Sequence, residues 1–162
     1  MSSKKSFVKR LKVNNMKFEL LFEGIDLNSI QISKMSAYTA KKINKKYNFQ
    51  FDPVQLLQGE NLYVAKTNNI ILGFIDVDFN PKNIEINKKN IKVTSINFLE
   101  TNPNYYRQGI ASKLVDFVIN KNTNDAIIVK PYEEYLGLYT KKNFKPTIIK
   151  NHDKGMYIRF PS

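Results

Sequence analysis

The sequence predicts an α/β fold, a mixed and mostly antiparallel sheet of about seven strands flanked by helices. Three observations predict it. Short runs rich in β-branched and aromatic residues recur along the chain: "KFELLF", "NLYVAKT", "IILGFIDVDF", "IKVTSINFLE", "AIIV", "KPTIIK" and "GMYIRF". Two gaps between them are no longer than tight turns, Asn68-Asn69 and "NKKN" at 87–90, where Asn tolerates positive φ, so the three middle runs form a meander. Other gaps carry 3.6-residue periodicity, clearest where Ala111, Leu114, Val115, Val118 and Ile119 fall on one face of a helix over 107–120.

Taken in order, "KFELLF" is the first strand, and "NSIQISKMSAYTAKKINKKY" is a helix with Ile32, Met35, Thr39, Ile43 and Tyr47 toward one side. "FDPVQLLQGE" reads as a helical turn and loop. The meander follows, with Asp76 and Asp78 alternating with Val77 and Phe79 as on a strand with one solvent face. The 107–120 helix comes next, then the buried strand "AIIV", a helix in "EEYLGLYTKKNF", and two final strands.

A chain of 162 residues with 42% hydrophobic residues suits one domain, 1–162, with a sizeable core. With no Cys and only His152, disulfides, thiol nucleophiles and zinc sites are not expected. No apolar run approaches the roughly 18 residues that span a bilayer, and "MSSKKSFVKR" precedes no apolar segment of a signal peptide. The expectation is a cytoplasmic protein that meets no membrane.

The net charge of +12 is uneven: residues 1–50 carry +8, 51–100 carry −1 and 101–162 carry +5. Only Arg10, Arg107 and Arg159 of the 26 basic residues are Arg, whereas readers of phosphate and base edges favour its bidentate fork. With 20 Asn beside the Lys, this charge reads chiefly as solvated surface that still attracts anions.

In "NPNYYRQGIASKLVDFVI", a strand ending near Glu100 feeds a loop that opens into a helix at Gln108 to Ala111. The first NH groups of a helix have no partner inside it and lie at the positive end of its dipole. Gly109 lets a ligand approach the backbone, and Ala111 keeps the next turn slim. Such a turn is an anion cradle, suited to a pyrophosphate.

"PNYYRQGIA" resembles the acetyl-CoA loop of the GCN5-related N-acetyltransferases (GNAT), P-x-x-(Q/R)-x-x-G-x-(G/A), with Pro103, Gly109 and Ala111 in matching places. Further on, "AIIVKPYEEYLGLYTKKNF" is similar to the family's strand and helix ending near Y-x-x-x-G-F, through Tyr139 and Phe144. The resemblance runs from about Leu62 to the end. Tyr106 stands where Gln or Arg is usual, with Arg107 as a neighbouring cation, and Asn143 replaces the usual Gly of a left-handed cap.

The resemblance implies a GNAT-like fold, with the sheet splayed near Glu100 and Val129 for acetyl-CoA. It implies a cofactor site of Phe98, Leu99, Glu100, Arg107, Gln108, Gly109, Ile110, Ala111, Ser112 and Tyr139. The implied reaction is direct acetyl transfer to a primary amine in a ternary complex, with Glu100 and Tyr139 as catalytic residues. A carboxylate frees the amine's lone pair, a backbone NH near Phe98 to Glu100 stabilises the oxyanion, and Tyr139 protonates the departing thiolate. By position alone Tyr139, at helical spacing from Tyr135 and Leu136, reads as core, and Glu100, Glu133 and Glu134 read as surface carboxylates. The acceptor stays open among a small molecule, a peptide and aminoacyl-tRNA, with 24–60 as its wall. The partners are acetyl-CoA, that amine, and tRNA or another anion through the basic ends, with a homodimer left open. The alternative is a basic nucleic-acid-binding module on a catalytically degenerate acetyltransferase fold.

Overall fold

The computed structural model describes residues 6–13, 16–23, 26–47, 61–68 and 70–162. They belong to two compact units, one within residues 1–30 and one over 31–162.

In the first unit β1 (Ser6–Val13) and β2 (Met16–Glu23) form an antiparallel hairpin, with Ser6 opposite Glu23 and Val13 opposite Met16. A 3-10 turn follows at Leu27–Ser29, where the Asp26 carboxylate accepts a hydrogen bond from the Asn28 NH. "KFELLF" is thus a strand, but of a two-stranded sheet.

The second unit holds the seven-stranded sheet. Its elements are β3 (Gln31–Met35), α1 (Ala37–Tyr47), β4 (Leu62–Thr67), β5 (Ile70–Ile86) and β6 (Lys89–Thr101), then α2 (Ile110–Lys121), β7 (Ala126–Val129), α3 (Leu136–Lys141), β8 (Lys145–Thr147) and β9 (Met156–Arg159). The strand order is β3-β4-β5-β6-β7-β9-β8, and every pairing is antiparallel except β6 with β7. The expected mixed sheet is present, but its first strand lies where a helix was expected. Ile32 and Met35 sit at a spacing that suits a helix face, yet "QISKM" pairs with β4, Gln31 opposite Lys66. The helix begins only after Ser36, whose hydroxyl accepts from the Thr39 NH at 3.2 Å. "FDPVQLLQGE" lies outside the described residues.

The turns follow the Asn-rich signals. Asn87 and Lys88 both have positive φ, 50° and 63°, as a two-residue hairpin between β5 and β6 requires. Alternation then divides the sheet. On one face Ala40 of α1 packs with Leu62, Val64, Phe74 and Phe98. On the other face α2 buries Ile110, Leu114, Val115 and Val118, each worth about 1.5–3 kcal/mol as an upper bound. That helix lies close because of Gly73: a methyl there would sit 2.8 Å from the Glu100 carbonyl oxygen and 3.2 Å from Leu114 Cδ1.

Two irregularities shape the sheet's centre. Asp76 faces Phe98 whereas Val77 faces Ile96, so Asn97 is an extra residue, a β-bulge in β6. The parallel β6–β7 ladder runs only from Val93 opposite Ala126 to Ile96 opposite Val129. The strands therefore part at Ile96 and Val129, earlier on β6 than Glu100, and residues 97–101 run on without β7. Asp76 also departs from expectation. It is 3% exposed, although its alternation with Val77 had suggested a solvent face.

Candidate functional site

The loop before α2 is held by a buried Asn. The Asn102 NH donates to the Leu72 carbonyl at 2.8 Å, its Nδ2 donates to the Ile71 carbonyl at 2.8 Å, and its Oδ1 accepts from the Asn104 NH. After a 3-10 turn at Pro103–Tyr105, Arg107 (φ 59°) and Gly109 (φ 84°) are both left-handed. Gly109 is the N-cap of α2 and supplies no capping oxygen, so the first-turn NH groups remain available to a ligand.

That helix start faces a cavity of about 550 Å³. Of the expected residues, Arg107, Gly109, Ile110, Ala111 and Ser112 line it; half-buried Gln108 does not. Sequence reasoning missed its other wall, formed by Thr101, Glu134, Tyr135, Leu138 and Lys141, with Tyr105 and Tyr106 from the loop. Nothing local to 133–141 signals this: the link is a hydrogen bond between the Tyr135 and Thr101 hydroxyls at 3.2 Å, across 34 residues. Arg107 and Lys141 outnumber the one acid of the lining, Glu134, so the cavity suits an anion.

Phe98, Leu99 and Tyr139 lie together elsewhere, in a narrow cleft between the parted strands with Ile96, Asn97, Val129 and Lys130. Tyr135 lines both cleft and cavity, so the two are adjacent. Tyr139 is 1% exposed, and burial, with Tyr135 beside it, pushes its hydroxyl well above the usual phenol range, so it keeps its proton. The backbone fixes the end of its helix. The Phe144 NH donates to the Tyr139 carbonyl at 3.1 Å and the Asn143 NH to the Thr140 carbonyl at 3.2 Å, a Schellman cap with Asn143 left-handed at φ 66°. The Tyr139 and Phe144 rings meet edge to face at 5.1 Å.

Glu100 lines neither space. It is buried rather than a surface carboxylate, and burial, then the nearby Glu134 charge, raise its carboxyl to about 7. Burial raises the Tyr135 hydroxyl to about 12, with Glu100 and Glu134 adding to the shift and the Thr101 bond opposing it. Glu133 and Glu134 are exposed, as expected, and so is His152. Among the described residues no three His, Cys, Asp or Glu could hold a metal, and no helix is long and apolar enough to cross a membrane.

Residues 29–129 match the acetyltransferase (GNAT) family. No curated protein matches the chain. Three solved structures illustrate its likeness to others. The N-acetyltransferase YlbP of Bacillus subtilis, in complex with coenzyme A, is 15% identical over 82% of this chain and 97% of its own, with a TM-score of 0.61. AtaT, complexed with acetyl-methionyl-tRNAfMet, is 13% identical over 81% and 94%, with a TM-score of 0.57. Naa50 of Arabidopsis thaliana, in complex with the bisubstrate analogue CoA-Ac-MVNAL, is 17% identical over 80% and 96%, also at 0.57. At such identities the likeness shows the fold alone.

Proposed function

Because this chain belongs to the acetyltransferase (GNAT) family, we propose that it moves the acetyl group of acetyl-CoA directly to a primary amine, both substrates being held at once. The observation that carries this reading is the parting of β6 from β7 at Ile96 and Val129, which opens a cleft containing Tyr139 next to the cavity at the uncapped start of α2. When bound, acetyl-CoA supplies an acyl group activated as a thioester. The first-turn NH groups from Gly109 to Ser112, with Arg107, would hold its pyrophosphate, and Phe98, Leu99 and Tyr139 would flank the parted strands. Glu100 is the proton acceptor in this reading: with a carboxyl near 7 it takes a proton from an ammonium far more readily than an ordinary glutamate. Tyr139 keeps the proton on its hydroxyl for the departing sulfur. Residues 1–162 count here as one N-acetyltransferase domain.

The acceptor is a small molecule, a peptide or an aminoacyl-tRNA in this reading. Naa50 is known with a peptide analogue and AtaT with an acetylated initiator tRNA. The test of the donor site is Gly109→Glu, which places bulk and negative charge against the uncapped NH groups. Calorimetry is expected to show loss of acetyl-CoA binding with the circular dichroism spectrum unchanged. Undiminished affinity would remove the pyrophosphate from this loop.

A further inference from the structure

A second cavity, of about 490 Å³, opens on the α1 side of the sheet, with Asp76, Asp78 and Ser95 in its wall. Its relation to the cleft is direct, since Ile96, Asn97 and Lys130 line both. Cradle, cleft and this cavity are therefore neighbouring spaces, the first two sharing Tyr135 in their walls and the last two Asn97. The charges around the second cavity are unequal in their partners. Asp78 is paired with Lys82 at 3.2 Å and Lys130 with Asp153 at 3.1 Å. Asp76 is 3% exposed, and its Oδ1 is a buried atom without a hydrogen-bond partner. The Asn97 side chain and Val77 backbone bonds to its carboxyl oppose the effect of burial only in part, since burial and then Asp78 still raise that carboxyl to about 6. A buried carboxylate with one oxygen unpartnered, at the wall of a cavity, is satisfied by a cationic donor from outside. Ile96, Ile128 and Met156 in the same lining suit an aliphatic stem behind that donor.

We propose that this cavity is the acceptor site and that Asp76 seats the ammonium group of a primary amine carried on an unbranched aliphatic chain. The proposal rests on the acetyltransferase reading for its purpose and on Asp76 for its chemistry. An alkylammonium gives Oδ1 its missing hydrogen bond and lies beside Asn97, one residue from the opening toward the cleft.

The test follows the backbone amide resonances of Ser95 and Asn97 in isotope-labelled protein during titration with 1-aminopentane and, separately, with uncharged 1-pentanol. Saturable shifts are expected for the amine, with the alcohol at least ten-fold weaker, and Asp76→Asn is expected to weaken the amine at least ten-fold. Alcohol and amine binding alike, or an unaffected Asp76→Asn protein, would overturn the proposal; the first comparison needs only the wild-type protein. Two further probes distinguish the source of the amine. A ten-fold preference for Nα-acetyl-lysine methylamide over 1,5-diaminopentane places it on a peptide lysine, and the reverse places it on a free alkylamine; both support the seat. Calorimetry with acetyl-CoA keeps the two readings apart. Asp76→Asn is expected to bind acetyl-CoA as the wild type does, and a wild type that binds the amine but no acetyl-CoA would sink the donor reading alone.

Discussion

At the scale of single residues, the two proposed catalytic groups differ in how their surroundings tune them. Tyr139 is packed against Phe144 and holds its proton, so its hydroxyl can give a proton but does not lose it to solvent. Tyr139→Phe keeps the ring contact, and kcat is expected to fall about 10² to 10⁴-fold with little change in acetyl-CoA affinity. An unchanged kcat would make Tyr139 a core residue. Glu100 is the opposite case, an acid that must be ionised to act. Its carboxyl titrates near 7 in the folded chain and from 4.5 ordinarily. Activity is expected to rise as pH passes about 7, and Glu100→Gln should lose that limb of the pH–rate profile. Stability runs the other way. Because the folded pKa is raised, the stabilising contribution of protonated Glu100 is fully present below 4.5 and is lost as pH rises through about 7. The difference in melting temperature between wild type and Glu100→Gln, followed across that window, checks the sign.

At the scale of elements, the Schellman cap of α3 links a turn to the site. The left-handed Asn143 lets Phe144 fold back, and the same six residues fix both the carbonyl and the ring of Tyr139. Asn143→Ala is expected to cost about 1 kcal/mol, since a left-handed residue with a Cβ is unfavourable and the Asn tolerance is lost. That corresponds to a fall of about 2–4 °C in melting temperature for a domain of this size, and Asn143→Gly should raise it instead. An Ala variant as stable as the Gly variant would show that the cap contributes nothing. The bulge at Asn97 and the short β6–β7 ladder work together in the same way, since each interrupts pairing next to the cleft.

At the scale of the whole molecule, net charge governs encounter rather than chemistry. With +12 overall and +8 in the first 50 residues, polyanions are attracted whatever the acceptor is. A tRNA gel shift at low salt is expected to weaken steeply between about 50 and 200 mM salt, by up to about 10³-fold if some six phosphates are neutralised. A weak shift insensitive to salt would count against tRNA as a partner. In the aminoacyl-tRNA version of the proposed function, binding and acetyl transfer fall together as salt rises; with a small amine, transfer persists.

Much of this protein was determined by local signals in its sequence. Asn-rich turns and alternating apolar runs set the β4–β5–β6 meander, because positive φ and period-two burial are properties of a few adjacent residues. The Gly109 turn was legible for the same reason, as was the left-handed Asn143. Other features depended on partners far along the chain. "QISKM" became a strand because β4 offered an edge, an outcome its own spacing does not encode. Asp76 was buried by packing that its own alternation does not encode, Glu100 was raised by burial and then by Glu134, and the far wall of the cradle was assembled by Tyr135 reaching Thr101. Burial and charge proximity are sums over everything packed around a group, so the tertiary structure alone decided which acids are perturbed and which cavities meet.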